Sequence, residues 1–161
     1  MSDDYPEEQL RQLLGFIGNC RDKLRMQGWN VVLHPGKLDN PDTYASTWQE
    51  NYHQTLNIEL GPEFFSQTPE AVTNTIVHEL IHAQHRDVSR LWERATTKGD
   101  YMGAQLASEF DLEMHTAIER FVSWLAQQIV VENPGRFPVY DPSDTYEHGG
   151  GLYLHLGELV E

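Results

Sequence analysis

Three residues in the run VTNTIVHELIHAQH, from Val72 to His85, have the types and spacing to do chemistry: His78, Glu79 and His82. On a helix, residues four apart stand one above the other, so His78 and His82 offer two imidazole nitrogens to one point in space. Two neutral imidazoles converging on a point are metal ligands. Glu79 is the immediate neighbour of His78 but takes a different azimuth, so it can reach a water at the metal without displacing a histidine. This is the HExxH arrangement, in which the histidines hold Zn2+ and the glutamate acts as general base. Val72, Ile76, Leu80 and Ala83 recur on the other side of the same helix, widened by Val77 and Ile81, and supply the face that anchors it to a core. His85 shares the side of His78 but lies two turns further on, about 10 Å along the axis, too far for both to meet one ion.

The elements around that helix follow from periodicity and punctuation. Leu10, Leu13, Leu14, Ile17, Cys20 and Leu24 recur at helical spacing between Pro6 and Gly28, which predicts an amphipathic helix over residues 6–27. WNVVLH and TLNIEL are short, β-branched or alternating segments, and TYASTW between them reads as a third strand. Thr68 can cap the motif helix with Pro69 at its first position, and the helix is expected to run to about residue 85. Asp100 is placed to cap a long helix that NPG stops near residue 132. The tail from Arg136 is rich in Pro and Gly and reads mostly as loop, with a short strand or helix in LYLHL. With no repeat and no linker, residues 1–161 make one α+β domain: an N-terminal helix, a small mixed sheet, the motif helix and a long final helix.

A catalytic zinc takes three protein ligands and keeps a fourth position open, so a third ligand must come from elsewhere in the chain. In LASEFDLEMHTAIERFVSWLA, residues 106–126, the helical phase set by Leu106, Phe110, Ala117, Phe121 and Trp124 predicts a buried face with Glu113 at its centre and Glu109 on its edge. A carboxylate facing a core is costly unless it is paired or bound to a metal, so both acids are candidates. Their positions alone do not choose between them.

HELIH, preceded by the strand-like TLNIEL and followed by a helix carrying acids, resembles the zincin metallopeptidases, and within them the gluzincin type. The resemblance implies a zincin-like fold in minimal single-domain form, Zn2+ as cofactor, and a glutamate on the later helix as third ligand. It also implies an acidic residue four positions further on that orients a zinc-bound histidine. On that pattern Glu109 is the ligand and Glu113 the partner of a ring N–H of His78 or His82, the reverse assignment remaining open. An edge strand ahead of the active-site helix aligns the substrate in that group, a role that TLNIEL or TYASTW would fill by strand addition. The chain continues AQHRDVSRLW after the motif, without the Gly and third His of metzincins. The SprT-like DNA-associated proteases share the strand and HExxH helix but use a third histidine and a basic surface.

Charge narrows the partners. Eleven basic residues against twenty-five acidic ones give a net charge of −14, which repels a phosphate backbone or an anionic membrane surface. The acidic N-terminus lacks the order of a secretory signal, no run reaches membrane-spanning length, and a single cysteine, Cys20, falls on the apolar face of the first helix. The expectation is a cytoplasmic zinc-dependent metallopeptidase acting on a peptide or protein, with no nucleic acid or membrane partner. Glu79 is the base, and Tyr146 and His148 in the glycine-rich tail are candidate oxyanion donors. The alternative is a zinc-binding interaction module that keeps the ligands without turnover, for which Glu79 would have no use.

Overall fold

The computed structural model describes the backbone of residues 5–36, 38, 40–49, 54–97, 101–147 and 149–156, and the side chains of these apart from 86–97 and 101–112. The chain is mixed α/β: helix α1 (Glu7–Lys23), strands β1 (Asn30–His34), β2 (Ala45–Gln49) and β3 (Thr55–Leu60), a 3-10 turn at Phe64–Ser66, helices α2 (Pro69–Thr97) and α3 (Tyr101–Val130), and strand β4 (Leu152–Leu154).

The sheet runs β2-β3-β1-β4. β2 and β3 form an antiparallel pair with Thr47 opposite Ile58, while β1 lies parallel to both β3 and β4. Alternation puts Val31, Leu33, Leu56, Ile58 and Leu60 on one face, where they are fully buried with Leu13, Phe16 and Ile17 of α1 and Ile76 and Leu80 of α2. The opposite face carries Trp48, Asn57 and His34. His34 Nε2 lies 2.8 Å from Asn57 Oδ1, and its ring sits between those of Trp48 and His155, at 4.9 and 4.8 Å. Trp48 is therefore an outer-face aromatic, and His34 and His155 belong to that cluster.

Helix α1 stops earlier than Gly28 would have it. Arg25 adopts φ 58°, its N–H donates to Asp22 O, and Met26 N–H donates to Arg21 O, a Schellman closure that lets the Met26 side chain fold back into the core. Helix α2 begins where expected: Thr68 Oγ1 accepts from Ala71 N–H at 3.3 Å. It runs well past residue 85, to Thr97, and α3 packs back along it, so the two form a long helical hairpin.

The phase of α3 differs from the expectation. Val122, Ala126 and Val130 are buried, whereas Ala117 is exposed and Phe121 and Trp124 are 47% and 56% exposed. Leu106 and Phe110 carry side chains outside the described set. The stretch AIERFVSWLAQQIV carries apolar residues over an arc wider than one packed face, so amphipathicity leaves its phase open. Close approach to α2 then selects the small Val and Ala residues for the seam and turns the bulky rings out. Among the contacts that pin the tail, Tyr140 N–H donates to Thr73 Oγ1 at 2.8 Å, and the buried Arg21 guanidinium, which also donates to Trp29 O at 3.1 Å, donates to Gly150 O at 2.9 Å. No described helix is long and apolar enough to cross a membrane.

Candidate metal centre

His78 and His82 lie on successive turns of α2 and meet at Nε2···Nε2 3.0 Å. A carboxylate from α3 closes the group: Glu119 Oε2 is 3.3 Å from His78 Nε2, and Glu119 Oε1 is 3.0 Å from His82 Nε2. Zinc with arms of about 2.0–2.1 Å to nitrogen and oxygen has tetrahedral edges of about 3.3 Å, which the three separations approach. With a carboxylate rather than a carboxylic acid at Glu119, protons alone do not satisfy this arrangement. If both Nε2 atoms carry hydrogen, the His78–His82 contact sets donor against donor. If one does, it serves a single partner, and a remaining contact sets a lone pair against a lone pair or a carboxylate oxygen. A cation at the centre makes all three contacts favourable at once, so the residues present fit the metal that the motif implies.

The electrostatics point the same way. Burial lowers the pKa of both His78 and His82, against the opposing pull of Glu119, and the charges of His78, His85 and His115 lower that of His82 further. Burial thus favours the neutral ring, the form in which imidazole binds a metal. His78 Nδ1, the nitrogen turned away from the centre, is 3.4 Å from Ser123 Oγ on α3. With Nε2 given to a metal, Nδ1 carries the proton and donates to that hydroxyl, which fixes the tautomer and the ring. Glu119 and Ser123 are one helical turn apart, so a single stretch of α3 supplies a ligand and an orienting group.

Glu79 lies beside this group without joining it. It is only 7% exposed, and burial pushes its carboxyl up to about 7, opposed by a side-chain hydrogen bond from Thr47 of β2 and assisted by the charge of Glu119. The interval between β2 and α2 is held by Gln49, whose Nε2 donates to Ala83 O at 3.1 Å.

The expected third-ligand region is shifted along α3. Glu109 has its side chain outside the described set, and its backbone position is ten residues, about 15 Å of helix axis, before Glu119. Glu113 is exposed and is not one of the converging donors. Among the described side chains, the structure brings Glu119 and Ser123 to the histidines, at the spacing of four expected of Glu109 and Glu113 but with a hydroxyl in the second position. The cause is the helix phase: Glu119 heads the stripe Glu119, Val122, Ala126, Val130, which faces α2. That stripe of small residues behind an acid was the one signal in the sequence.

Tyr146 is not brought to the centre. Its ring packs on Phe16 of α1 with centroids 5.5 Å apart, and its hydroxyl accepts from Asp141 N–H at 3.0 Å, so its polar end is engaged within the tail. His148 lies outside the described residues. His85 sits edge-on to Phe121, with centroids 5.1 Å apart, one turn beyond the His pair.

Compared with known proteins, the chain matches no family model, no curated protein and no solved structure. The chemistry of the centre therefore rests on its own geometry.

Proposed function

We propose that the chain is a zinc-dependent metallopeptidase of the zincin-like, gluzincin type in minimal single-domain form, with His78, His82 and Glu119 as ligands and Glu79 as general base. The observation that carries this reading is the convergence of two imidazoles and a carboxylate at 3.0–3.3 Å, with a second, buried carboxyl group next in sequence to one of them. A structural zinc site has no need of that second carboxylate, which favours turnover over the non-catalytic module.

Zinc bound there supplies a Lewis acid that brings the pKa of water toward neutrality and polarises a carbonyl. His78 and His82 hold their Nε2 atoms toward the centre, and Ser123 keeps the proton of His78 on Nδ1. Glu79 takes the proton of the attacking water and returns it to the leaving amine, so that the peptide C–N bond breaks without releasing a charged amide anion. Its burial keeps bulk water from competing for that proton. The substrate is a peptide or protein segment in extended form. Strand β2, at the sheet edge above α2, is where such a segment would pair.

The test is metal content and cleavage of a quenched fluorogenic peptide library. Recombinant protein should hold one equivalent of zinc and cleave library members in a chelator-sensitive way. Glu79→Gln should keep the zinc and lose about 10²–10⁴-fold in kcat. Zinc with no cleavage of any library or protein substrate would favour the binding module, and absence of stoichiometric zinc would refute both.

A further inference from the structure

The face of α3 that the helical phase of the sequence marks for burial is the one the fold leaves outside. Met114, Ala117, Phe121, Trp124, Gln128 and Val131 succeed one another along it at alternating steps of three and four residues, and the sequence continues the step back to Phe110. Ala117, Phe121, Trp124 and Val131 are exposed, and the Phe121 and Trp124 rings lie 6.2 Å apart. Val131 prolongs the helix by one residue, its N–H donating to Gln127 O at 2.8 Å. A repeat of 3.5 residues, apolar at every step but Gln128, is the spacing by which one helix seats another along its length. The buried Val122, Ala126 and Val130 lie on another side of α3, so the exposed stripe is left for a different contact.

We infer that this stripe is a dimer interface, in which α3 of one copy packs antiparallel on α3 of a second copy about a two-fold axis beside Ala117. Charge selects the partner and its polarity. Glu113 and Arg120, both exposed, stand seven residues apart on one edge of the stripe. Antiparallel pairing about the point between them sets Glu113 of each copy against Arg120 of the other, giving two ion pairs related by the axis. A parallel pairing sets them instead against the opposite edge, which carries Ile118 and Leu125. The point halfway from Glu113 to Arg120 falls within a residue of Thr116, and so does the middle of Tyr101–Val130. The pairing that matches the charges therefore also overlaps the two helices over their whole length. Ala117 at the crossing is small enough for the backbones to approach, and the Phe121 and Trp124 rings of the two copies flank it on both sides. From residue 110 to residue 131 the strip is about 32 Å long and about 10 Å wide, and covering it on two copies removes roughly 1,200 Å² from water, the lower end of stable interfaces. Two copies of net charge −14 repel at long range, so complementarity has to be local, and Arg120 brings one of the chain's eleven cations to the seam. Glu119 and Ser123 lie on the other side of α3, which keeps the metal centre clear of the interface.

Sedimentation equilibrium of the full chain tests this by distinguishing 18.6 kDa from twice that mass. The wild type should dimerise with a Kd in the micromolar range, between about 1 and 100 µM for an interface of this size. Phe121→Ala and Trp124→Ala, both at exposed positions, should each weaken the dimer about 10- to 100-fold while the circular dichroism of the helices stays unchanged. Arg120→Glu and Glu113→Arg should each weaken the homodimer. An equimolar mixture of those two variants should associate about as tightly as wild type, because every facing pair is again of opposite sign. A wild type that stays monomeric to about 500 µM would overturn the inference, being well beyond that Kd range. So would a dimer indifferent to Phe121→Ala and Trp124→Ala, or charge variants that the mixture does not rescue. None of these results depends on zinc or on cleavage, so the peptidase reading stands or falls separately.

Discussion

The assignment of Glu119 as a ligand predicts how much of the protein's stability comes from the metal. Zinc that binds only the folded chain stabilises it by RT ln(1 + [Zn]/Kd), so free zinc buffered at a thousand times the wild-type Kd contributes about 4.1 kcal/mol. Outer partners of a metal site cost about 10- to 100-fold in affinity when removed, and loss of one of only three ligands should exceed that. Glu119→Ala, weakened at least about 100-fold, would then see zinc at no more than about ten times its own Kd. The zinc-linked stabilisation falls to about 1.4 kcal/mol. For a chain of 161 residues, 1 kcal/mol moves Tm by roughly 2–4 °C, so zinc should raise Tm by about 8–16 °C in the wild type and by no more than about 3–6 °C in Glu119→Ala. Differential scanning fluorimetry in buffered zinc reads both shifts, with chelator-treated protein as the baseline for each variant. Glu113→Ala, which removes an exposed carboxylate, should behave as wild type. If Glu119→Ala keeps the full zinc shift while Glu113→Ala or Glu109→Ala loses it, the ligand set derived from the 3.0–3.3 Å convergence is wrong.

Ser123→Ala should weaken zinc about tenfold, the low end for an orienting partner because its contact to His78 is long at 3.4 Å, and Ser123→Asp should bind zinc more tightly than wild type; competition with a fluorescent chelator measures both. Tyr140 predicts an alkaline limit. Burial pushes its phenol up to about 12, whereas in the unfolded chain it ionises near 10, so the neutral buried ring contributes stability that is fully present below pH 10 and is lost as pH rises toward 12. Thermal midpoints between pH 9 and 11.5 should fall more steeply for wild type than for Tyr140→Phe, and parallel profiles would exclude this residue as the cause.

The elements were legible because each is written in a local code. Pro69 behind Thr68 starts α2, the β-branched runs of β1 and β3 alternate with a period of two, and HELIH places His78 and His82 on one side of any helix that contains them. Glu79 was legible for the same reason, since its azimuth relative to the histidines is fixed by helix geometry within two residues. The tail was legible only as punctuation. That Tyr146 packs on α1 rather than over the site depends on Gly15, where an added Cβ would come within 2.6 Å of the Tyr146 Cβ, a contact between residues far apart in the chain.

By itself, then, the sequence determined a chain of mixed helices and strands with two histidines on one side of a helix and a glutamate beside them, because these follow from spacings of four residues or fewer. The tertiary structure decided which carboxylate joins them. α3 presents acids at positions 109, 113 and 119 on a helix whose apolar residues span more than one face, and its rotation about its own axis is settled by packing against α2 rather than by its hydrophobic pattern alone. Val122, Ala126 and Val130 win that seam, and a rotation that buries them carries Glu119 and Ser123 to the histidines while turning Phe121 and Trp124 to solvent.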